Sequence, residues 1–92
     1  MEFLVKVETN LPTEISVDER ARLMNEEAVR GSELKSGGVL KRIWRIPGRF
    51  ANWSVYETSD ATELHDVLAS LPLHPWQTVT VHPLATHPLE RD

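Results

Sequence analysis

Residues 2–8 alternate. Phe3, Val5 and Val7 fall on one side and Glu2, Leu4, Lys6 and Glu8 on the other, the pattern of a strand with one buried face. Thr9-Asn10-Leu11-Pro12 ends it, since Asn and Pro form turns. Ser16-Val17-Asp18-Glu19 then reads as a capping box, and the helix it opens is expected to run to about Ser36. Gly37-Gly38 stops that helix, because glycine accepts the left-handed backbone found at helix ends. Its apolar stripe is Met24, Ala28 and Leu34, with Leu23 on the flank.

Residues 39–46, Val-Leu-Lys-Arg-Ile-Trp-Arg-Ile, are a strand by content. Pro47-Gly48 supplies a tight turn, and residues 50–57 alternate again, so the two strands are expected to pair as a hairpin. Asp60, with Glu63 three residues on, caps a second helix. Ala61, Leu64, Leu68 and Leu71 mark its buried stripe, and Pro72 and Pro75 close it. A last strand is expected over 77–82, followed by an extended tail over 83–92. The order β-α-β-β-α-β is the ferredoxin-like arrangement of the α+β class, an antiparallel sheet with two helices on one face. All 92 residues are expected to form one domain. A core this small often gains stability by association, and the second sheet face needs cover, so a subunit contact is expected there.

Charge and composition narrow the function classes. The formal net charge is −4, with acids and bases intermixed, which argues against nucleic acid and anionic membrane surfaces as partners. Cysteine is absent, which removes disulfides, thiolate metal sites and a cysteine nucleophile. The N-terminal run Met-Glu-Phe-Leu-Val-Lys-Val lacks the basic lead and the length of a signal peptide. No stretch approaches the roughly 20 apolar residues of a membrane span. A cytoplasmic location is the expectation.

Glu27 does not fit its place. It lies three residues after Met24 and seven before Leu34, on or beside the face that packs on the sheet. A carboxylate held against an apolar surface has its charged form disfavoured, which can make it a base near neutral pH. Position alone favours the plainer alternative, a side chain bent to solvent or paired with a cation. Lys6, Arg42 and Arg45 are cations on strands. Arg42 and Arg45 point to opposite faces of a regular strand, so one pocket cannot hold both without a bulge. Asn52 sits in mid-strand, where asparagine is depleted; if buried, it needs a structural or a ligand partner. His65 falls near the buried side of the second helix, where a satisfied core or cap-side histidine is the simpler reading. His74, His82 and His87 have no metal-binding spacing, so no metal site is expected. Trp44, Trp53, Trp76, Phe50 and Tyr56 are most simply core and interface residues, some of which can wall an apolar pocket.

Several blocks together resemble the muconolactone Δ-isomerase family. Phe3-Leu-Val-Lys-Val with Asn10-Leu11-Pro12 resembles its opening. Ile43-Trp44-Arg45-Ile46, Gly48, Ala51-Asn52 and Ser54-Val55 resemble its central hairpin. Leu64-His65-Asp66, Leu71-Pro72-Leu73 and Pro75 resemble its second helix and exit, and Pro83-Leu84 and His87-Pro88 its tail. Glu27 falls in the family's acidic helix segment, and the blocks run in order over nearly the whole chain.

The resemblance implies an enzyme of the β-ketoadipate pathway of aromatic catabolism, without metal or organic cofactor. It would shift the ring double bond of a lactone bearing a carboxymethyl arm, giving the enol-lactone of 3-oxoadipate. It also implies a homo-oligomer, a decamer built from dimers. Glu27 would be the proton-transferring base, with substrate-binding groups among Lys6, Arg45, Asn52, Arg42 and His65, and His87 of the tail closing a neighbour's pocket. The chain departs from the family pattern at Leu40, Arg42, Trp53, His74 and Trp76, which bears on the substrate more than on the proton chemistry. A methyl- or chloro-substituted lactone, with halide loss in the chloro case, is an alternative. Further rivals are a small ferredoxin-like monooxygenase and a non-catalytic ligand-binding or assembly module.

Overall fold

The computed structural model describes residues 1–91. Its elements are β1 (Glu2–Thr9), α1 (Val17–Ser36), β2 (Leu40–Arg45), β3 (Ala51–Glu57), α2 (Ala61–Ala69) and β4 (Gln77–Leu84), with 3₁₀ turns at His74–Trp76 and Pro88–Glu90. The sheet is antiparallel throughout, in the order β2-β3-β1-β4. This is the expected ferredoxin-like α+β topology.

Local chemistry sets the boundaries. The Ser16 hydroxyl accepts the N–H of Glu19 at 3.1 Å, and the Asp60 carboxylate accepts that of Glu63 at 2.8 Å, so each helix has its N-cap. Only this half of the first capping box forms, because the Glu19 side chain turns to Arg22 instead of reaching back. Gly38 has φ +78° after α1 and Gly48 has φ +77° in the hairpin turn. The second is a Pro-Gly turn, closed by the Arg49 N–H on the Ile46 carbonyl at 3.2 Å, and its third position requires positive φ.

The core lies between the helices and one sheet face. Phe3, Val5, Val7, Leu34, Leu40, Tyr56, Leu64, Leu68 and Leu71 form a single buried cluster, the odd-numbered side of β1 meeting the stripes of both helices. Three members of the expected stripes lie outside it, and one of them, Met24, is half-buried at a cavity. Ala61 is exposed at the first turn of α2, and Ala28 is exposed as well. Ala28 faces a cavity: α1 packs closely through Leu23 and Leu34 but stands off the sheet in between.

β4 runs two residues beyond its expected end and includes Pro83, opposite Phe3. Proline cannot donate to a ladder, but β4 is an edge strand, where a missing N–H costs nothing. Residues 85–91 are exposed, and the extents of 51 × 26 × 20 Å go with a radius of gyration of 14.4 Å, above the roughly 12 Å of a compact chain this long.

Candidate active site

A cavity of about 410 Å³ opens between α1 and the sheet, within the size range of small-molecule sites. Met24, Glu27, Ala28 and Gly31 of α1 form its roof. These positions recur at three and four residues, hence on one face. The space exists because Ala28 and Gly31 carry too little side chain to fill it. The floor is Val7, Leu40, Ile43, Arg45, Asn52 and Tyr56 of the sheet. Phe50, Leu71, Leu73 and Gln77 complete the wall.

Register explains which strand residues face inward. A β-bulge between Leu40 and Arg42 places Lys41 as the extra residue. Leu40 opposite Tyr56 faces the cavity, and after the bulge Ile43 opposite Ser54 and Arg45 opposite Asn52 face it too. Arg42 and Trp44 are turned to the other face, where the Arg42 guanidinium lies over the Trp44 ring at 4.9 Å. The bulge precedes both arginines, so they stay on opposite faces, as regular strand geometry requires.

Glu27 is half-buried, and both its oxygens are held. Oε1 accepts the backbone N–H of Leu73 at 3.0 Å. Oε2 accepts from Nε2 of Gln77 at 3.3 Å. Neither donor is a cation, so the carboxylate is oriented without being neutralised by an ion pair. Among the described residues Glu27 is the one acid lining the cavity and Arg45 the one base. Among the described residues no carboxylate lies within 4.0 Å of Arg45, which leaves its fork free for an anion. The Tyr56 phenol, buried against the core beneath this roof, is pushed up to about 12, first by burial and then by the nearby charge of Glu27.

Three of the six residues singled out in the sequence therefore meet here: Glu27, Arg45 and Asn52. The other three stand elsewhere. Lys6 is on the opposite face of β1, 3.4 Å from Glu8 and 5.9 Å from the centre of the Trp53 ring. Arg42 shares that face. His65 is exposed on α2 rather than near its buried side, because the side of α2 that packs on the core carries Leu64, Val67 and Leu68. His87 caps the last 3₁₀ turn, its Nδ1 accepting the N–H of Leu89 at 3.0 Å. Sequence reasoning missed Gln77 and Leu73. Gln77 gave no signal beyond its place at a strand start, and Leu73 acts through its backbone, which no residue type reveals.

A ferredoxin-like sandwich whose cavity gathers one oriented carboxylate, a guanidinium with no carboxylate beside it among the described residues, and an amide has the form of a small-molecule site. The family model for muconolactone delta-isomerase matches residues 1–90, and the chain belongs to that family. It is 40% identical over 87 residues to muconolactone Delta-isomerase 2 of Acinetobacter lwoffii, covering 95% of this chain and 91% of that one. It is 33% identical over 88 residues to muconolactone Delta-isomerase of Acinetobacter baylyi, with 96% and 92% covered. A crystal structure of muconolactone isomerase superposes with a TM-score of 0.90 at 34% identity, over 96% of this chain and 92% of that chain.

Proposed function

We propose that the protein is a muconolactone Δ-isomerase that moves the ring double bond by carboxylate-mediated proton transfer. The observation that carries the mechanism is the Glu27 carboxylate, hydrogen-bonded through both oxygens in a cavity whose one cation among the described residues is Arg45. Moving a C=C bond within a lactone needs a proton taken from one ring carbon and returned to another. One carboxylate can do both if the dienolate stays bound between the steps. Glu27 takes the first proton and the C–H electron pair enters the ring, placing negative charge on the carbonyl oxygen. The same proton then returns at the second carbon. Arg45 suits the carboxymethyl arm through its bidentate fork, and Asn52, opposite it in register, supplies a further donor. No organic cofactor or metal enters these steps.

Leu40 and Gly31 in the cavity wall favour a second substrate for the same site, a methyl- or chloro-substituted lactone. A Cβ at Gly31 would meet nothing within 4 Å, so a ring substituent has room. In the chloro case, the electron pair left by proton abstraction would expel chloride.

The same reading makes the protein a cytoplasmic homo-oligomer, a decamer built from dimers. Support for association comes from the sheet face away from the helices. It carries Leu4, Trp44, Trp53 and Val55 with Lys6, Arg42 and His82, and Trp44 is 44% exposed. Among the described residues no helix is long and apolar enough to cross a membrane.

The test is to incubate (+)-muconolactone with the protein in D2O and follow the double bond by NMR, with Glu27→Gln in parallel. Turnover that is lost in the variant supports both function and base. Turnover surviving in the variant overturns the choice of Glu27. A folded wild type inert towards muconolactone but active on a substituted lactone selects the second substrate.

A further inference from the structure

Tyr56 is the chain's only tyrosine, and it joins core and cavity. The residue is 4% exposed. Its ring belongs to the cluster of Phe3, Leu40 and Leu71, yet it also lines the cavity that Glu27 roofs. A buried phenol needs a hydrogen-bond partner. Ser54 is the hydroxyl that hydrogen-bonds it, and the Ser54 hydroxyl gives its own proton to the Val5 carbonyl at 3.3 Å. Among the described residues no carbonyl or carboxylate accepts from the Tyr56 hydroxyl, so the phenol has only a neutral hydroxyl partner to exchange for a ligand oxygen.

Its position along β3 gives it a role. Asn52 and Tyr56 share one face four residues apart, about 13 Å of extended strand. Arg45 faces Asn52 at the hairpin end, and apolar Leu40 faces Tyr56 at the other. The floor is thus polarised, with a cation and an amide at one end and a neutral phenol among hydrocarbon at the other. The geometry points to Tyr56 as a catalytic residue whose hydroxyl donates to the lactone carbonyl oxygen as Glu27 removes the ring proton, with the carboxymethyl arm held at Arg45 and Asn52. This deepens the isomerase reading and rests on it.

The step balances within the site. The proton moves from ring carbon to Glu27 and on to the second ring carbon. Charge appears on the carbonyl oxygen and disappears again, and the Tyr56 O–H bond stays intact. A donor fixed in an apolar wall needs no reorganisation as that charge develops, which is where such donors act most strongly. A phenol that holds its proton to about pH 12 donates without protonating the dienolate.

Tyr56→Phe removes the hydroxyl and keeps the ring. The expected result is a fall in kcat of about 100-fold with KM changed by less than about twofold, the loss typical of one oxyanion donor. Binding supplies a readout independent of turnover. A tetronate anion bearing a carboxymethyl group mimics the dienolate, and the saturated lactone with the same arm mimics the neutral ground state. By calorimetry, Tyr56→Phe should weaken the tetronate by about 10-fold or more and the neutral lactone by much less, since a charged oxygen gains more from the lost donor than a neutral one. Because Tyr56 stands alone, replacing all tyrosine with 3-fluorotyrosine changes phenol acidity at this one position, and kcat should respond while stability does not. An active wild type with an equally active Tyr56→Phe overturns this role alone, as does equal weakening of both ligands. A wild type that neither turns the lactone over nor binds the tetronate overturns the isomerase reading and this role with it.

Discussion

The carboxylate of Glu27 and the backbone N–H of Leu73 are hydrogen-bonded at 3.0 Å across 46 residues of sequence, tying the middle of α1 to the exit of α2. The bond gives Glu27 a structural duty that can be separated from its chemical one. Glu27→Gln keeps an acceptor oxygen for Leu73 and abolishes the base. It should unfold in urea near the wild-type midpoint and lose at least about 10³-fold in kcat, the scale of general acid–base catalysis. Glu27→Ala strands the half-buried N–H as well, and should lose a further ~1–3 kcal/mol of stability. Equal unfolding midpoints for the two variants would show that the bond contributes nothing to the fold.

Tyr56 makes stability depend on alkaline pH. Its phenol is held up to about 12 in the folded protein, mainly by burial, against about 10 in an unfolded chain. Below pH ~10 both states keep the proton and the full contribution is present. Between the two values the unfolded state releases its proton while the folded state retains it, so stability falls as pH rises. The loss amounts to ~2–3 kcal/mol once the folded phenol has ionised. Tyrosinate absorbance of the folded protein should show one transition near pH 12. Urea unfolding over this range should lose stability more steeply for wild type than for Tyr56→Phe; parallel curves would mean that the phenol is solvated.

The helix and strand elements were legible because alternation and caps are local signals. Ser16 and Asp60 state where the helices begin, and Phe3, Val5 and Val7 state which face of β1 is inside. The site was half legible. Glu27 stood out as a carboxylate on the inward side of a helix, and Arg45 and Asn52 followed as polar residues on strands. The bulge between Leu40 and Arg42 sets the side on which Leu40 lies relative to Arg42 and Arg45, and nothing in Leu-Lys-Arg announces it. Lys6 was a fair candidate by type, but alternation with Val5 and Val7 already placed it on the other face. The gap over Ala28 and Gly31 was hidden for a different reason: a small residue on an inward stripe reads as close packing, and only the assembled layers show that the helix stands away.

Arg45 and Arg42 offer a matched pair, three residues apart on one strand and facing opposite ways. Arg45→Gln should raise KM for a lactone with a carboxymethyl arm by about 10–100-fold, corresponding to loss of a hydrogen bond to a charged group. It should leave kcat/KM unchanged for the same lactone without the arm. Arg42→Gln should leave both substrates unaffected, since its guanidinium rests on Trp44. His65→Ala, an exposed change on α2, should alter stability by no more than about 0.5 kcal/mol and kinetics not at all. Steady-state kinetics on the two lactones decides these points. A KM increase in Arg45→Gln that persists without the arm would remove Arg45 from carboxylate binding.

Gly31 sits inside α1, where glycine costs about 0.5–1 kcal/mol relative to alanine. Its φ lies outside the positive range, and a Cβ built there meets nothing within 4 Å. Neither backbone strain nor crowding requires glycine at this position. What the missing side chain provides is space in the cavity wall. Gly31→Ala should therefore gain about 0.5–1 kcal/mol in urea unfolding through helix propensity and make the cavity smaller. Muconolactone turnover should change little. Turnover of methyl- or chloro-substituted lactones should fall, as the added methyl meets the ring substituent. Gly31→Leu, which fills the space, should lower kcat/KM for every lactone while the protein stays folded. A Gly31→Ala protein that is less stable than wild type would mean that α1 lies closer to the sheet than its open roof implies. An unchanged preference among lactones would mean that substituents are accommodated at another wall.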